Sequence, residues 1–315
     1  MKKRKLLITG ANGFVGRNLI RAFETKYELV TIFRSPPQKK PVDGEWQVQI
    51  SGDLSFSDLM RDVDCVIHSA ACVHLGRKEQ RKKEDEIFEV NVNQTLELAH
   101  QAARSGVKRF LFFSTIAVNG TSNRVSFTET DVPQPNSIYA KSKLEAEAGL
   151  WKIADRYDLE IVIIRPPMVY GPNAPGNFSS LLSVLKKFSL LPIGGIKNKR
   201  SFLHIENLVS LVSLCLYHPN AANQLFLAAD GHSLSTRTFV KLVAQAANLN
   251  CRIFWFPPIL LRGVFLIIGK NHLSKSLLDS LLIDTSKART LLNWYPTILP
   301  RQGIGSIFCD FQSEE

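Results

Sequence analysis

The sequence predicts an α/β chain, a doubly wound parallel sheet followed by a smaller α/β lobe toward the C-terminal end. Three observations carry that expectation. Short apolar runs alternate with longer amphipathic stretches through the first 170 residues. A segment rich in Pro, Gly and Asn, YGPNAPGN (170–177), then breaks the rhythm, and a helix-like and a strand-like stretch after it read as a return to the sheet. With 315 residues the chain can bury a sizeable core and has room for both units.

The first strand is LLIT (6–9). The basic opening MKKRK resembles the start of a secretion signal, but only Leu6 to Ile8 follow before a glycine motif. An apolar signal core needs about seven residues or more, so a cytoplasmic protein is expected. ELVTIF (28–33), DCVIHSA (64–70), RFLFFST (109–115) and EIVIIRP (160–166) read as the next strands. Ligands of such sheets bind at the carboxyl ends of the strands. SFLHIENLVSLVSLCLYH (201–218) and NQLFLAAD (223–230) read as the returning helix and strand. The sheet domain is therefore expected over 1–172, with a return at about 200–230, and the second lobe mainly over 173–315. From about 232 the pattern is helical and includes an apolar stretch, FWFPPILLRGVFLIIGK (254–270).

Apolar residues make up 45% of the chain and charged residues 21%, and no run reaches the roughly 18 to 20 apolar residues a membrane span needs. Five cysteines, scattered and without CxxC spacing, argue for reduced thiols rather than a disulfide frame or a zinc site. His68, His74 and His204 share no ligand spacing, and no metal is expected. The net charge of +11 favours anionic partners. GRKEQRKKEDE (76–86) mixes both signs and reads as a solvated helix face; with no nucleic-acid motif beside it, nucleic acid is not an expected partner.

ITGANGFVG places Gly10, Gly13 and Gly16 between the first strand and the helical NLIRAFE. Glycines at this spacing let the backbone turn tightly, approach a diphosphate and pack helix on strand, while the helix N-terminus offers free N–H groups. The sheet is accordingly read as Rossmann-like and dinucleotide-binding. A carboxylate at the end of the second strand would hold the ribose of NAD; the chain has Arg34 there, which suits the 2′-phosphate of NADP. NADP is the expected cofactor and NAD the alternative. Asp53 and Leu54, in GDL, are expected at the adenine.

SIYAKSKLEAE (137–147) puts Tyr139 and Lys143 one helical turn apart on one face. A phenol of ordinary pKa near 10 is a poor acid or base at neutral pH, and a neighbouring ammonium is expected to lower that value. Lys143 would also bond the ribose hydroxyls of a nicotinamide nucleotide. In FFSTIAVNG, Thr115 is the expected hydroxyl that holds the substrate's oxygen, with Ser114 second.

Several ordered motifs make the chain resemble the extended short-chain dehydrogenase/reductase family of nucleotide-sugar epimerases, dehydratases and reductases. They are TGANGFVG (9–16), GDL (52–54), HSAA (68–71), NVNQT (91–95), FSTIAVNG (113–120), YAKSKLEAE (139–147), RPPMVYGP (165–172), RSFLHIENL (200–208) and DTSKARTLLNW (284–294). The resemblance implies that Phe14 and Val15 join the glycines at the cofactor diphosphate, that Ser69, Ala70 and Ala71 line the cofactor cleft, that Asn91, counted with the cofactor-binding residues, braces the core, and that Pro166 flanks the nicotinamide. It implies Asn177 and Arg200 at the diphosphate of a nucleotide-sugar substrate, and a homodimer through a four-helix contact that includes the Tyr139 helix.

The sequence departs from the family pattern at Asn119, in VNG for VYG, and at Met168, both expected in the sugar pocket. An arginine before DTSKA is missing, and Lys275 is the expected substitute charge. RPPMVYGP and VNG resemble the branch of 4-keto reductases for UDP-linked 6-deoxy-N-acetylhexosamines of surface polysaccharide synthesis, which is the expected function. The alternatives are a UDP-glucose or UDP-N-acetylglucosamine 4-epimerase, one acting on a lipid-linked sugar, and a non-catalytic cofactor-sensing scaffold. The apolar 254–270 stretch, with the positive charge, admits peripheral contact with the inner membrane face; ordinary packing of the lobe is the simpler expectation.

Overall fold

The computed structural model describes residues 3–33, 48–49, 59–73, 80–269 and 271–309. Arg34, Asp53, Leu54 and His74 lie outside the described residues. In chain order the elements begin with β1 (Lys5–Thr9), α1 (Phe14–Phe23), β2 (Glu28–Ile32), β3 (Val48–Gln49), β4 (Cys65–His68), α2 (Gln80–Phe88), α3 (Gln94–Arg104), β5 (Arg109–Phe113), α4 (Ile138–Arg156) and β6 (Glu160–Arg165). They continue with β7 (Val169–Tyr170), α5 (Asn177–Lys187), β8 (Leu190–Leu191), β9 (Leu203–His204), α6 (Ile205–Cys215) and β10 (Gln224–Leu227). The last are α7 (Thr236–Ala246), β11 (Arg252–Ile253), α8 (Pro258–Ile267), α9 (Asn271–Leu278), α10 (Ser286–Leu292) and α11 (Pro300–Cys309).

Seven parallel strands form the main sheet in the order β10-β6-β5-β4-β1-β2-β3. The chain winds outward from β1 in both directions, so the strand order reverses between β1 and β4 and leaves a crevice at their carboxyl ends. Alternate side chains of each strand enter opposite layers. Leu6 and Ile8 pack with Leu19, Leu208 and Leu211 beneath α1 and α6, whereas Leu7 packs with Leu98, Ala146 and Leu150 beneath α3 and α4. A third core joins Tyr170, Phe178, Phe202 and Phe239 with α5, α7 and α11, and the Phe202 and Phe239 rings stack at 4.1 Å. Among the described residues no helix is long and apolar enough to cross a membrane.

Two local features set up the crevice. Ser137 caps α4 by accepting the Ala140 N–H at 3.1 Å, which starts the helix one residue before Tyr139. Between α2 and α3 the backbone widens into a π-helical turn over Glu89–Asn93, and this turn carries Asn91 inward.

Candidate active site

The glycine loop leaves β1 through Gly10, which has φ +68°. A Cβ there would lie 2.6 Å from the Ala70 nitrogen, and one at Gly16 would lie 2.3 Å from the Gly10 carbonyl oxygen. Both positions therefore demand glycine. The Gly13 N–H donates to Gly10 O at 2.8 Å, closing the turn, and among the described residues no side chain caps α1. Its first N–H groups are left to an external anion. Phe14 and Val15 contribute backbone only, since their side chains pack against the core. Ser69 Oγ donates to Thr9 O at 2.6 Å, which fixes Ser69, Ala70 and Ala71 against Gly10. A diphosphate fits this cradle, whose helix N-terminus has no side-chain cap among the described residues.

Thr115 stands at the carboxyl end of β5, and Pro166 follows β6, the next strand; the two segments are joined by Ile116 N–H donating to Pro166 O at 3.0 Å. Thr115 Oγ accepts from Ala117 N–H at 3.3 Å and is half-buried. Ser114 is buried, and among the described residues its hydroxyl has no hydrogen-bond partner. Such an orphan at a strand end marks a place for a ligand's polar group. The second-choice hydroxyl thus stands beside the first.

Tyr139 and Lys143 share α4, but not in the relation the spacing suggested. The Lys143 ammonium lies 4.3 Å from the centroid of the Phe112 ring and 6.0 Å from that of Tyr139. Burial lowers Lys143 to about 7, partly offset by Glu147, and burial pushes Tyr139 up to about 12. The expected lowering of the phenol by the ammonium is not found, because desolvation outweighs a cation held against a neighbouring ring. In this state Tyr139 is a protonated acid.

Asn91 is fully engaged inside the protein. Its Oδ1 accepts from Cys72 N–H at 2.8 Å, and its Nδ2 donates to Cys72 O and to Ser142 Oγ, each at 3.0 Å. It ties the loop after β4 to the Tyr139 helix and has no donor left for a cofactor, so it positions rather than binds.

A second buried network was not read from the sequence. Arg165, at the end of β6, makes a two-pronged ion pair with Glu147 and donates to Asn119 Oδ1 at 2.8 Å; Asn119 Nδ2 donates to Thr128 O at 3.1 Å. Asn119 is 1% exposed. The expectation that it lines the sugar pocket is therefore corrected: it completes the coordination of a buried guanidinium. The only sequence signal was an arginine ending the apolar run EIVIIR, which demanded a partner. Met168 packs, half-buried, against the third core.

On the substrate side the structure separates the expected residues. Asn177 is exposed at the start of α5. Arg200 is half-buried, pairs backbone-to-backbone with Leu234, and donates from Nη1 to Asp279 O at 2.8 Å. Burial lowers its pKa, partly offset by Asp279. Lys275 is exposed on α9, one turn before Asp279. Behind them lies a buried carboxylate, Asp230, which accepts from Tyr170 OH at 2.8 Å, His204 N–H at 2.8 Å and Asn207 Nδ2 at 2.7 Å. Among the described residues no three His, Cys, Asp or Glu side chains gather where they could hold a metal ion.

This geometry agrees with what the chain resembles. Residues 6–228 match the NAD dependent epimerase/dehydratase family, and the chain belongs to it. It is 36% identical over 308 residues to a UDP-glucose 4-epimerase of Vibrio cholerae, covering 95% of this chain and 93% of the relative. It is 23% identical over 245 residues, 77% of this chain and 72% of the relative, to an N-acetyl-alpha-D-glucosaminyl-diphospho-ditrans,octacis-undecaprenol 4-epimerase of Escherichia coli O157:H7. Among solved structures, the UDP-glucuronic acid 4-epimerase of Bacillus cereus in complex with NAD superposes with a TM-score of 0.79 at 21% identity, covering 98% of this chain and 99% of that one. The UDP-N-acetylglucosamine 4-epimerase of Methanobrevibacter ruminantium M1 does so at 0.79 and 18%, covering 100% of each. The chain is thus an enzyme of the NAD-dependent nucleotide-sugar class.

Proposed function

We propose that this enzyme transfers hydride at C4 of a UDP-linked hexose in the reductive direction, on a UDP-4-keto-6-deoxy-N-acetylhexosamine of surface polysaccharide synthesis, with NADPH. The reductive direction rests on the resemblance of RPPMVYGP and VNG to the 4-keto reductase branch. The geometry that supports it is Tyr139 on α4 near the Lys143 ammonium, with burial keeping the phenol protonated and able to give a proton to the C4 oxygen. When bound, the nicotinamide nucleotide supplies the hydride. The chain does the rest. Gly10, Gly13, Gly16 and the backbone of Phe14 and Val15 hold the diphosphate, Lys143 holds the ribose hydroxyls, and Ser114 faces the bound nucleotide with an unspent hydroxyl. Thr115 donates a hydrogen bond to the C4 oxygen as its charge grows, and Tyr139 protonates it. Asn177, Arg200 and Lys275 are assigned to the nucleotide diphosphate of the substrate. NADP selection rests on Arg34 in the sequence.

A second reading is 4-epimerisation of a UDP-hexose with retained NAD. The Vibrio cholerae relative supports it, and the buried, structural Asn119 removes one of the three departures from the family pattern. The Escherichia coli relative supports a lipid-linked version of the same reaction. A homodimer through α4 and a cytoplasmic location belong to either reading.

Purified protein is first released from its bound nucleotide, which is identified, and then given the keto-sugar with NADPH. Oxidation of NADPH with formation of the 4-hydroxy sugar is the expected result. No turnover there, together with interconversion of UDP-hexoses without added cofactor, would replace the first reading with the second.

A further inference from the structure

The part of the chain that the chemistry leaves unused is α8. Its sequence PILLRGVFLI buries only Leu261. At 100° per residue, Ile259, Leu260, Val264, Leu266 and Ile267 fall within an arc of about 160° that contains no charged side chain. Ile259 is 83% exposed and Ile267 86%. Arg262 lies outside the arc and is tied down by Asp279 at 2.5 Å. An amphipathic surface helix turns its polar side to water; this one presents apolar side chains outward.

The arc is not isolated. The parallel pair β8–β11 sets Leu190 beside Arg252, and the chain leaves β11 through Phe254 and Trp255, the latter 70% exposed. At the other end of β8, α5 finishes with exposed Lys186 and Lys187 followed by exposed Phe188. Exposed apolar and basic side chains therefore lie together in the segments that flank the β8–β11 pair. Charge is segregated in the same segments. Residues 177–199 and 231–278 together hold ten lysines and arginines and not one Asp or Glu, nearly the whole surplus of +11. A partner protein or a second copy of this chain that covered the face would have to bring its own carboxylates, and these segments have none to offer a symmetric contact.

We infer that this edge docks on an anionic bilayer surface, with α8 and Trp255 entering the headgroup region and Lys186, Lys187 and Arg252 meeting lipid phosphates. The match is between an apolar strip without charge and a rim of one sign, the pattern of an interfacial helix. Docking there is linked to the candidate substrate side through one residue: Asp279 pairs with Arg262 of α8 by its carboxylate and accepts from Arg200 by its carbonyl. The inference does not rest on which sugar reaction the enzyme performs, because its readout is binding.

The test is co-sedimentation of the full chain with vesicles of phosphatidylcholine alone and of phosphatidylcholine mixed with phosphatidylglycerol, while the Trp255 contribution to emission is read as the difference from a Trp255→Phe variant. Expected is partition onto the mixed vesicles about tenfold above the neutral ones, weakening with added salt, and a blue shift of Trp255 on binding. Ile259→Glu with Ile267→Glu should lose about tenfold in that partition while its bound nucleotide and melting temperature stay near those of the parent. If the double variant does not fold, quenching by brominated lipid that is present in the parent and lost in Trp255→Phe decides the point. Absent binding, equal binding to both vesicle types, or a dimer that falls apart in the double variant with no vesicle binding would each overturn the inference, the last by making the face a contact between two copies.

Discussion

Two polar clusters lie one turn apart on α4, and they are built on opposite rules. Around Glu147 every charge has its partner: Arg165 takes both carboxylate oxygens and the Asn119 carbonyl, and all three side chains are buried. Around Lys143 the groups are left open. Among the described residues no carboxylate pairs with its ammonium, the Ser114 hydroxyl has no partner, and the phenol of Tyr139 keeps its proton. A closed network specifies the position of a helix; an open one is stable only because the fold around it is, and it waits for a ligand. The two clusters should therefore respond to substitution in different observables.

The largest difference is expected at Tyr139. Tyr139→Phe should lower kcat by about 10²- to 10⁴-fold while the bound nucleotide and the melting temperature stay unchanged. Full activity in that variant would remove proton transfer from the phenol. Arg165→Met should do the reverse, destabilising the fold by about 3–5 kcal/mol because Glu147 is left as a buried charge without a partner. The double variant Glu147→Gln, Arg165→Met should recover much of that loss in urea unfolding. If single and double variants are equally unstable, the pair is not the closed unit described above.

Asn119→Ala comes next. It strands an Arg165 N–H and the Thr128 carbonyl, so a loss of about 1–3 kcal/mol is expected with KM for the sugar nucleotide unchanged. A raised KM with normal stability would return Asn119 to the sugar pocket. Lys143→Met carries the opposite sign: removing an ammonium buried without a carboxylate should raise stability by about 1 kcal/mol, as turnover and nucleotide retention are lost.

What the sequence disclosed follows from how locally each feature is determined. Gly16 is required by its contact with the Gly10 carbonyl and Gly10 by its positive φ in the same turn, so their spacing is visible in seven consecutive residues, although the Ala70 backbone that also crowds Gly10 is not. Six of the seven strands were equally legible as contiguous apolar runs; the edge strand β3 is only Val48–Gln49 and carries no such run. Asn119, Glu147 and Arg165 come from three elements, 46 and 18 residues apart, and no local pattern joins them. Spacing placed Tyr139 and Lys143 on one face, but whether burial or charge governs the phenol depends on the distance to Phe112, which spacing does not contain. The stretch 254–270 was recognised as apolar; that α8 would bury only Leu261 depends on packing from α9 and the third core.

The smallest effect tests whether the open cluster extends to β4. His68 is buried between Thr9 and Thr95, with Nδ1 2.6 Å from one hydroxyl and Nε2 2.9 Å from the other, and its ring stacks on Phe112, the ring that also holds the Lys143 ammonium. Burial, and then Lys143, lowers its pKa to about 3. The neutral ring accepts from one hydroxyl and donates to the other, whereas the charged ring would have to donate at both nitrogens in a dry site beside an ammonium. A folded-state pKa below the unfolded value near 6.5 means that the stabilising contribution is complete above pH 6.5 and is lost as pH falls toward 3. Between pH 7 and 5.5 the parent should lose about 1 kcal/mol more than a His68→Gln variant in urea unfolding. Lys143→Met should shift the midpoint of that loss upward in pH, since it removes the cation that disfavours imidazolium. An unchanged midpoint would confine the open cluster to α4 and the end of β5.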